Sequence, residues 1–281
     1  MTYLITGASG QLGTEFVHHF QKRGLPFAAP PETHLDITNA ACVKEAIAAF
    51  KPSVILNCAA YNDVEKAEED ATVANAVNGQ AVEILAEACK RNKIFLVHYG
   101  TDFVFDGLKE AFYTEEDQPG PLNNYGLSKL LGERYLKESG CLFLLFRVSW
   151  VFGPGKQNFL YKLQTWSASK PVIKVVDDQV SVPTYTGDIV SATVKALEQN
   201  LEGLYHLTNN GCASRYDIAR FFLGKTGYQG EIIPVSTSAF PSKVARPAFS
   251  AMSNDKLSST LQISIPTWEN AVDRFVKSQA F

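Results

Sequence analysis

The residues best suited to chemistry are Tyr125 and Lys129, which stand four positions apart in a run with helical character. On an α-helix, positions i and i+4 share one face, so the ammonium lies beside the phenol. A neighbouring positive charge favours the ionised phenol and lowers its pKa from about 10. The pair therefore predicts a group that gives up and recovers a proton near neutral pH. On its own, the spacing also fits a solvated pair on a helix face.

A hydroxyl at the end of a predicted strand is expected to join this pair. The apolar run at residues 94–99 predicts a buried strand, in which His98 is a core residue, and Thr101 follows at its carboxyl end. Ligands of open α/β sheets bind at the carboxyl ends of strands. Thr101 and Tyr125 are thus predicted to polarise a carbonyl together. The alternative for Thr101 is a hydroxyl bonded to the local backbone.

A glycine-rich turn lies between the first strand-like run and the first helix-like run. Gly7, Gly10 and Gly13 follow the spacing GxxGxxG directly after residues 3–6. Glycines permit a tight turn and let the backbone approach a pyrophosphate at the helix N-terminus. The flanking strand and helix favour a nucleotide-binding turn over an ordinary glycine-rich loop.

The choice between NADH and NADPH stays open at this level. An acid about 20 residues beyond the turn binds the ribose 2′-hydroxyl in Rossmann units. Glu32 is the only acid near that distance, and no Arg or Lys follows it to hold a 2′-phosphate. Asp36 either caps the helix predicted after it or approaches the adenine.

Strand-like and helix-like runs alternate up to about residue 150. This alternation predicts an α/β fold, a Rossmann-like doubly wound parallel sheet with helices on both faces. Residues 1–149 are the predicted NAD(P)-binding domain, to which a segment near residues 185–207 returns. Residues 150–184 and 208–281 are the predicted substrate-binding lobe, a smaller α/β unit that closes over the carboxyl edge of the sheet.

The composition argues against several other classes of protein. A net charge of −3 without a basic cluster disfavours nucleic-acid binding. No apolar run reaches the roughly 20 residues needed to span a membrane, and the first residues lack the basic region of a signal peptide. Five scattered cysteines without a CxxC pair predict reduced thiols in a cytoplasmic protein, with no metal bound through them.

The glycine turn, the strand-end threonine and the YxxxK pair together resemble the extended short-chain dehydrogenase/reductases. Seven segments, in the family's order, are similar to those of dTDP-4-dehydrorhamnose reductases. These segments are Gly10-Gln11-Leu12-Gly13, Leu35-Asp36-Ile37-Thr38, Asn57-Cys58-Ala59-Ala60-Tyr61, Thr101-Asp102-Phe103-Val104-Phe105-Asp106-Gly107, Tyr125-Gly126-Leu127-Ser128-Lys129-Leu130-Leu131-Gly132-Glu133, Arg147-Val148-Ser149-Trp150 and Ala245-Arg246-Pro247.

This resemblance implies a reaction. NADPH or NADH would transfer hydride to the C4 keto group of dTDP-4-dehydro-L-rhamnose and give dTDP-L-rhamnose. Tyr125 would donate the proton to the nascent alkoxide, and Thr101 would hydrogen-bond the carbonyl oxygen. Lys129 would lower the pKa of Tyr125 and hold the nicotinamide ribose. Oriented donors of this kind act where charge develops.

The resemblance also implies two wider sets of site residues. Those expected to line the cofactor, besides Tyr125 and Lys129, are Gly7, Gly10, Gln11, Leu12, Asp36, Ile37, Ala59, Ala60 and Asn62. Those expected near the dTDP-sugar are Val64, Asp102, Phe103, Trp150 and Arg246. For Trp150, the sequence supports a core position beside Phe152 nearly as well.

Three departures from the family pattern bear on the sugar. Gly100 stands where Ser usually precedes the threonine, Phe103 replaces the more usual Tyr, and Asn62-Asp63 replaces Thr-Ala. We expect all three to lie around the sugar or the nicotinamide. A related 4-keto-6-deoxy sugar nucleotide is therefore an alternative substrate.

A second alternative comes from a different class of protein. Reductase-like chains also serve as non-catalytic subunits, such as the regulatory subunit of methionine adenosyltransferase, which resembles this family. The intact Thr101, Tyr125 and Lys129 favour an enzyme. The resemblance also implies a monomer or a homodimer, in some members with a divalent ion such as Mg²⁺, in whose binding Glu15 would take part. An exposed glutamate in the first turn of a helix is the expected role of Glu15.

Overall fold

The computed structural model describes residues 1–278. The strands in this range are β1 (Tyr3–Thr6), β2 (Phe27–Ala28), β3 (Val54–Asn57), β4 (Phe95–Thr101), β5 (Phe143–Val148), β6 (Val151–Phe152), β7 (Val172–Val176), β8 (Val180–Ser181), β9 (Thr184–Tyr185), β10 (Gly203–His206), β11 (Ala213–Ser214) and β12 (Glu231–Val235). The α-helices are α1 (Gln11–Arg23), α2 (Ala40–Phe50), α3 (Val64–Glu69), α4 (Ala71–Asn75), α5 (Ala81–Asn92), α6 (Asn124–Ser139), α7 (Phe159–Ser167), α8 (Thr186–Glu198), α9 (Arg215–Lys225), α10 (Asp255–Leu261) and α11 (Trp268–Ser278).

Six parallel strands form the central sheet, in the order β10-β5-β4-β3-β1-β2. The chain runs from β1 to β2 on one side and then crosses to β3 on the other side of β1. Such a reversal opens a crevice at the carboxyl ends of the strands. The predicted doubly wound parallel sheet is confirmed.

Helices bury the sheet on both faces, and its strands are accordingly almost wholly apolar. Successive strand residues point to opposite faces. Ile5 and Leu56 accordingly face the core beneath α1 and α8, whereas Leu4 and Ile55 face the core beneath α2 and α5. Continuous apolar runs of this kind are typical of parallel strands covered by helices on each side.

The chain after β5 builds a second core and also returns to the first. α7, α9 and α11 pack around the parallel pair β7 and β12. β10 joins the edge of the central sheet, and Leu257, Leu261 and Ile265 lie in the core of the sheet with α8. No helix within residues 1–278 is both long and apolar enough to cross a membrane.

A buried ion pair joins α6 to the sheet. Arg147 of β5 donates from Nε and Nη2 to the Glu133 carboxylate, at 3.0 and 2.7 Å, and both side chains are at most 1% exposed. Gly100 of β4 lies against this pair, because a Cβ added there would stand 2.7 Å from Glu133 Oε1. We expected Gly100 around the sugar or the nicotinamide, but a side chain at this position would instead point at the ion pair.

We predict that Glu133→Gln lowers the free energy of unfolding by about 3–5 kcal/mol, because it leaves the Arg147 charge buried without a counter-ion. Urea denaturation followed by circular dichroism measures the loss. Glu138→Gln, on the exposed side of the same helix, is the matched control and should stay within about 0.5 kcal/mol of the parent. Equal midpoints for the two variants would contradict the prediction.

Candidate active site

The carboxyl edge of the sheet gathers the residues singled out by the sequence. Gly7 follows β1, Ala59 follows β3, Thr101 ends β4 and Trp150 follows β5. Helix α6 begins at the same edge and brings Tyr125 in its first turn. A local cap fixes this start, since the Asn123 side chain accepts a hydrogen bond from the backbone N–H of Gly126 at 2.8 Å.

Tyr125 stands among three of the predicted site residues. Its hydroxyl donates to Asn62 Oδ1 at 3.4 Å, and the side chain of Thr101 lies close enough to lower the pKa of the phenol. The Phe103 ring meets the Tyr125 ring edge-on, with the ring centroids 5.7 Å apart. The Thr101 hydroxyl also accepts from the backbone N–H of Phe103 at 3.2 Å. The bond to the local backbone that was the alternative for Thr101 is thus present, and the polarisation of a carbonyl by Thr101 and Tyr125 stays a prediction.

Burial, and not the lysine, dominates the protonation of the phenol. Loss of solvent raises the pKa of Tyr125 to about 12, and the neighbouring side chain of Thr101 opposes this rise. Lys129 Nζ donates to the carbonyl oxygen of Tyr99 at 2.6 Å, and burial lowers the pKa of Lys129 to about 8 against the opposing charge of Glu133. The prediction that the pKa of Tyr125 lies below its usual value was therefore wrong, because burial outweighs the effect of neighbouring groups.

A buried asparagine supports the site from behind. Asn78, 1% exposed, lies in the π-helical turn Ala76–Gln80 between α4 and α5. Its amide exchanges hydrogen bonds of 2.9 Å with the backbone N–H and C=O of Tyr61, and it donates to Ser128 Oγ at 3.0 Å. Asn78 thus fixes both the segment that carries Asn62 and the helix that carries Tyr125. π-turns frequently mark functional sites.

The glycine turn has the shape of an anion-binding loop. Gly7 is left-handed, with φ of 60°, and a Cβ there would stand 2.5 Å from the backbone nitrogen of Ala59. A Cβ at Gly13 would stand 2.3 Å from the Gly7 carbonyl oxygen. Gly10 begins α1 without a side-chain cap, so the first N–H groups of the helix are available to a pyrophosphate. The turn therefore fits the pyrophosphate of a dinucleotide.

The remaining predicted cofactor residues are placed in different ways. Ala59 and Ala60 follow β3 at the edge of the sheet, whereas the side chains of Leu12 and Ile37 pack into the two cores. Asp36 Oδ1 accepts from the backbone and hydroxyl of Thr38 at 2.9 and 2.7 Å. Asp36 does not cap α2, because Asn39 does. Gln11 accepts from Asn158 at 2.8 Å and so links α1 to the start of α7.

A cavity of about 470 Å³ lies next to this edge. Three of the predicted residues line it, Asn62, Trp150 and Arg246. Trp150 has a left-handed backbone, with φ of 38°, a strained conformation that clusters at functional sites. Trp150 lines the cavity and also packs, half-buried, against the core that contains Phe152.

Val64, Asp102 and Phe103 are not among the residues that line the cavity. Val64 and Phe103 pack around Tyr125. The Asp102 carboxylate, 2% exposed, accepts from Ser250 Oγ at 2.6 Å and Ser181 Oγ at 2.9 Å. Burial raises the pKa of Asp102. Asp102 thus ties β4 to the chain after β7, an arrangement that the motif did not reveal.

The residues described contain no group of three or more His, Cys, Asp or Glu side chains able to hold a metal ion. Glu15 instead accepts a hydrogen bond from Thr186 Oγ1 at 3.4 Å, which joins α1 to α8. A role for Glu15 in holding Mg²⁺ has no support in this geometry.

Comparison with known proteins agrees with this arrangement. The family model described as RmlD substrate binding domain matches residues 1–281. A dTDP-4-dehydrorhamnose reductase of Burkholderia thailandensis is 36% identical over 99% of this chain and 98% of its own length. The chain belongs to this family. The resemblance that the motifs indicated is therefore confirmed.

Two further members of the family extend the comparison. The crystal structure of a dTDP-4-dehydrorhamnose reductase from Bacillus anthracis, in complex with NADP, has a TM-score of 0.96 with 31% identity and covers 99% of both chains. A probable dTDP-4,6-dihydroxy-2-methyloxan-3-one 4-ketoreductase of Streptomyces antibioticus is 32% identical over 97% of this chain and 93% of its own.

We predict that Gly7→Ala weakens the binding of NADPH or NADH at least about tenfold, because its Cβ would collide with the backbone of Ala59 and distort the phosphate loop. Quenching or enhancement of the nicotinamide fluorescence measures the dissociation constant. Gly24→Ala is the matched control, since Gly24 also has φ near 60° (63°) but meets nothing within 4 Å. Equal weakening in both variants would contradict the role of the turn.

Proposed function

We propose that this protein is an NAD(P)H-dependent reductase that converts dTDP-4-dehydro-L-rhamnose to dTDP-L-rhamnose. The observation that carries the proposal is the contact of Tyr125 with Thr101 and Asn62 at the sheet edge, one helical turn before Lys129. The family supplies the sugar, because its members include named dTDP-4-dehydrorhamnose reductases.

The residues of the chain supply a proton and orient the keto group. A phenol with a pKa of about 12 is protonated at neutral pH, so Tyr125 is ready to donate a proton to the oxygen at C4. Thr101 hydrogen-bonds the same oxygen as negative charge develops there. Lys129 is charged below pH 8 and stabilises the tyrosinate that remains. The nicotinamide, when bound, supplies the hydride.

The same proposal covers the cofactor and the division of the chain. Residues 1–149 with residues near 185–207 would bind NADPH or NADH, and the B. anthracis relative, crystallised with NADP, makes NADPH the first to test. Residues 150–184 and 208–281 would hold the sugar nucleotide. The protein would be a monomer or a homodimer. Five free cysteines support a reducing, cytoplasmic setting.

A related 4-keto-6-deoxy sugar nucleotide is the second candidate substrate. Asn62 favours it, because this departure from the family pattern contacts the Tyr125 hydroxyl and lines the cavity. The S. antibioticus relative, whose name gives a different keto sugar, supports this alternative. Phe103 adds no polar group to the cavity.

The direct test is the oxidation of NADPH and NADH with a panel of nucleotide-linked 4-keto-6-deoxy sugars, including dTDP-4-dehydro-L-rhamnose. We expect the rhamnose precursor to give the highest kcat/KM. Turnover of another sugar alone would retain the reductase class and replace the substrate. Absence of turnover throughout would overturn the proposal.

We predict that Tyr125→Phe lowers kcat by about 10²–10⁴-fold, the contribution of a general acid, while the affinity for the cofactor changes less than about twofold. Steady-state kinetics and a fluorescence titration measure the two effects. Tyr135→Phe, on the same helix but away from Thr101, is the matched control and should keep the parent kcat. A Tyr125→Phe enzyme with parental kcat would refute the proton-donor role.

We also predict that kcat/KM for the sugar nucleotide falls as pH rises through about 8. The lowered pKa of Lys129 means that its charge is present below that pH and lost above it, while Tyr125 stays protonated. A pH profile from about 6 to 10 measures this limb. A flat profile up to pH 10 would show that the charge on Lys129 is not required.

A further inference from the structure

The cavity beside Tyr125 is lined by cations and by no acid. Among the described residues that line it, Lys162, Arg215 and Arg246 are basic, and none is Asp or Glu. The chain as a whole has the opposite balance, 29 acidic against 26 basic residues. A surface that concentrates one sign of charge in a cleft attracts ligands of the other sign. The expected ligand is therefore an anion.

The three cations differ in how far neighbouring groups or water already neutralise or screen their charge. Arg246 forms an ion pair with Glu65 of α3 and a hydrogen bond with Ser242, so part of its charge is neutralised. Lys162 is exposed on α7, where water screens its charge. Arg215 is partly buried and has neither a hydrogen bond nor an ion pair with any residue in the described part of the chain.

Arg215 is instead held by the faces of two aromatic rings. Its guanidinium carbon lies 4.1 Å from the centre of the Trp150 ring and 5.2 Å from that of Phe159. Contact with ring faces orients a planar guanidinium and leaves its N–H edge free to donate. The planar fork of donors matches phosphate oxygens.

Burial, the helix dipole and a neighbouring cation all disfavour a positive charge at this position. Arg215 is the first residue of α9, where the positive end of the helix dipole repels a cation. Arg246 adds a like charge nearby, and burial lowers the pKa of Arg215 to about 10, with Asp102 opposing. Arg215 remains charged at neutral pH nonetheless. A desolvated cation without a partner is unfavourable unless a ligand supplies the counter-charge.

We propose that Arg215 binds the diphosphate of the nucleotide sugar and makes the protein select ligands with two phosphates. The proposal rests on the proposed function for the identity of the sugar nucleotide, and it adds a residue that none of the motifs indicated. Because the same guanidinium contacts Trp150, the diphosphate also fixes the position of the indole beside the cavity. Arg246, already paired with Glu65, plays the smaller part.

The test is calorimetric titration of the full chain with dTDP, dTMP and thymidine, which needs neither cofactor nor turnover. We expect Arg215→Gln to weaken dTDP binding about 10–100-fold, dTMP binding less, and thymidine binding not at all. Arg215→Lys should recover part of the loss, because it keeps the charge without the planar fork. The same pattern would follow in the change of tryptophan fluorescence on dTDP binding.

Arg220→Gln is the matched control, because Arg220 also contacts a ring face on α9, that of Tyr216 at 5.6 Å, but does not line the cavity. It should bind dTDP like the parent. Unchanged dTDP affinity in Arg215→Gln, or an equal loss for thymidine, would overturn the proposal. If Arg215→Gln does not fold, Arg215→Lys provides the test. If Arg215→Lys prefers dTDP over dTMP as strongly as the parent does, the role of the planar guanidinium would be refuted. Normal dTDP selection without reductase activity would refute only the proposed reaction.

Discussion

The position of Tyr125 depends on a line of buried charges behind it. Lys129, Glu133 and Arg147 are at most 3% exposed, and each would be unfavourable alone in this environment. Glu133 lies between the two cations, bonded to Arg147 and one helical turn beyond Lys129. Because the acid compensates both, α6 docks in one register on β4 and β5. This register sets the phenol at the end of β4.

Glycines let the charges and the helices come close enough. A Cβ at Gly132 would stand 2.1 Å from the carbonyl oxygen of Asn78, and one at Gly100 would meet the Glu133 carboxylate. The first contact brings α6 against the π-helical turn that carries Asn78. The absence of a side chain at Gly100 of β4 leaves room for the ion pair between Glu133 and Arg147. The interior behind the site is thus built for charge and close backbone contact, while the apolar cores lie on either side of the sheet.

The protonation states suit a reduction. A proton donor must hold its proton until the alkoxide forms, and the burial that raises the pKa of Tyr125 to about 12 does this. Lys129, with a pKa of about 8, is charged in the same pH range and favours the tyrosinate after transfer. The same burial raises the pKa of Tyr125 and lowers that of Lys129. The two groups therefore take different roles, Tyr125 as the proton donor and Lys129 as the stabilising charge.

Local signals predicted most of the fold and the centre of the site. A few consecutive residues encode each of three features: the turn from Gly7 to Gly13, the strand before Thr101, and the spacing of Tyr125 and Lys129. The sheet and the catalytic residues could therefore be predicted from the sequence. Asn78, which joins Tyr61 and Ser128 across 17 and 50 positions, could not, because its role depends on tertiary contact.

The same limit explains the errors. Gly100 is adjacent to Thr101 in sequence but faces the opposite side of the strand, where only the structure shows the ion pair. The pKa of Tyr125 was misjudged because spacing reveals a neighbouring charge but not the loss of water. Arg215 belongs to none of the motifs. Its role depends on contacts with the rings of Trp150 and Phe159, which lie in distant segments of the chain.

The most direct test of the central claim is a single turnover with NADPH that carries deuterium at both C4 positions of the nicotinamide and with dTDP-4-dehydro-L-rhamnose as substrate. Mass spectrometry and NMR of the product locate the label. The account predicts one deuterium at C4 of the sugar, in dTDP-L-rhamnose, with the hydroxyl proton drawn from solvent through Tyr125. A product without deuterium at C4, or no product at all, would contradict it.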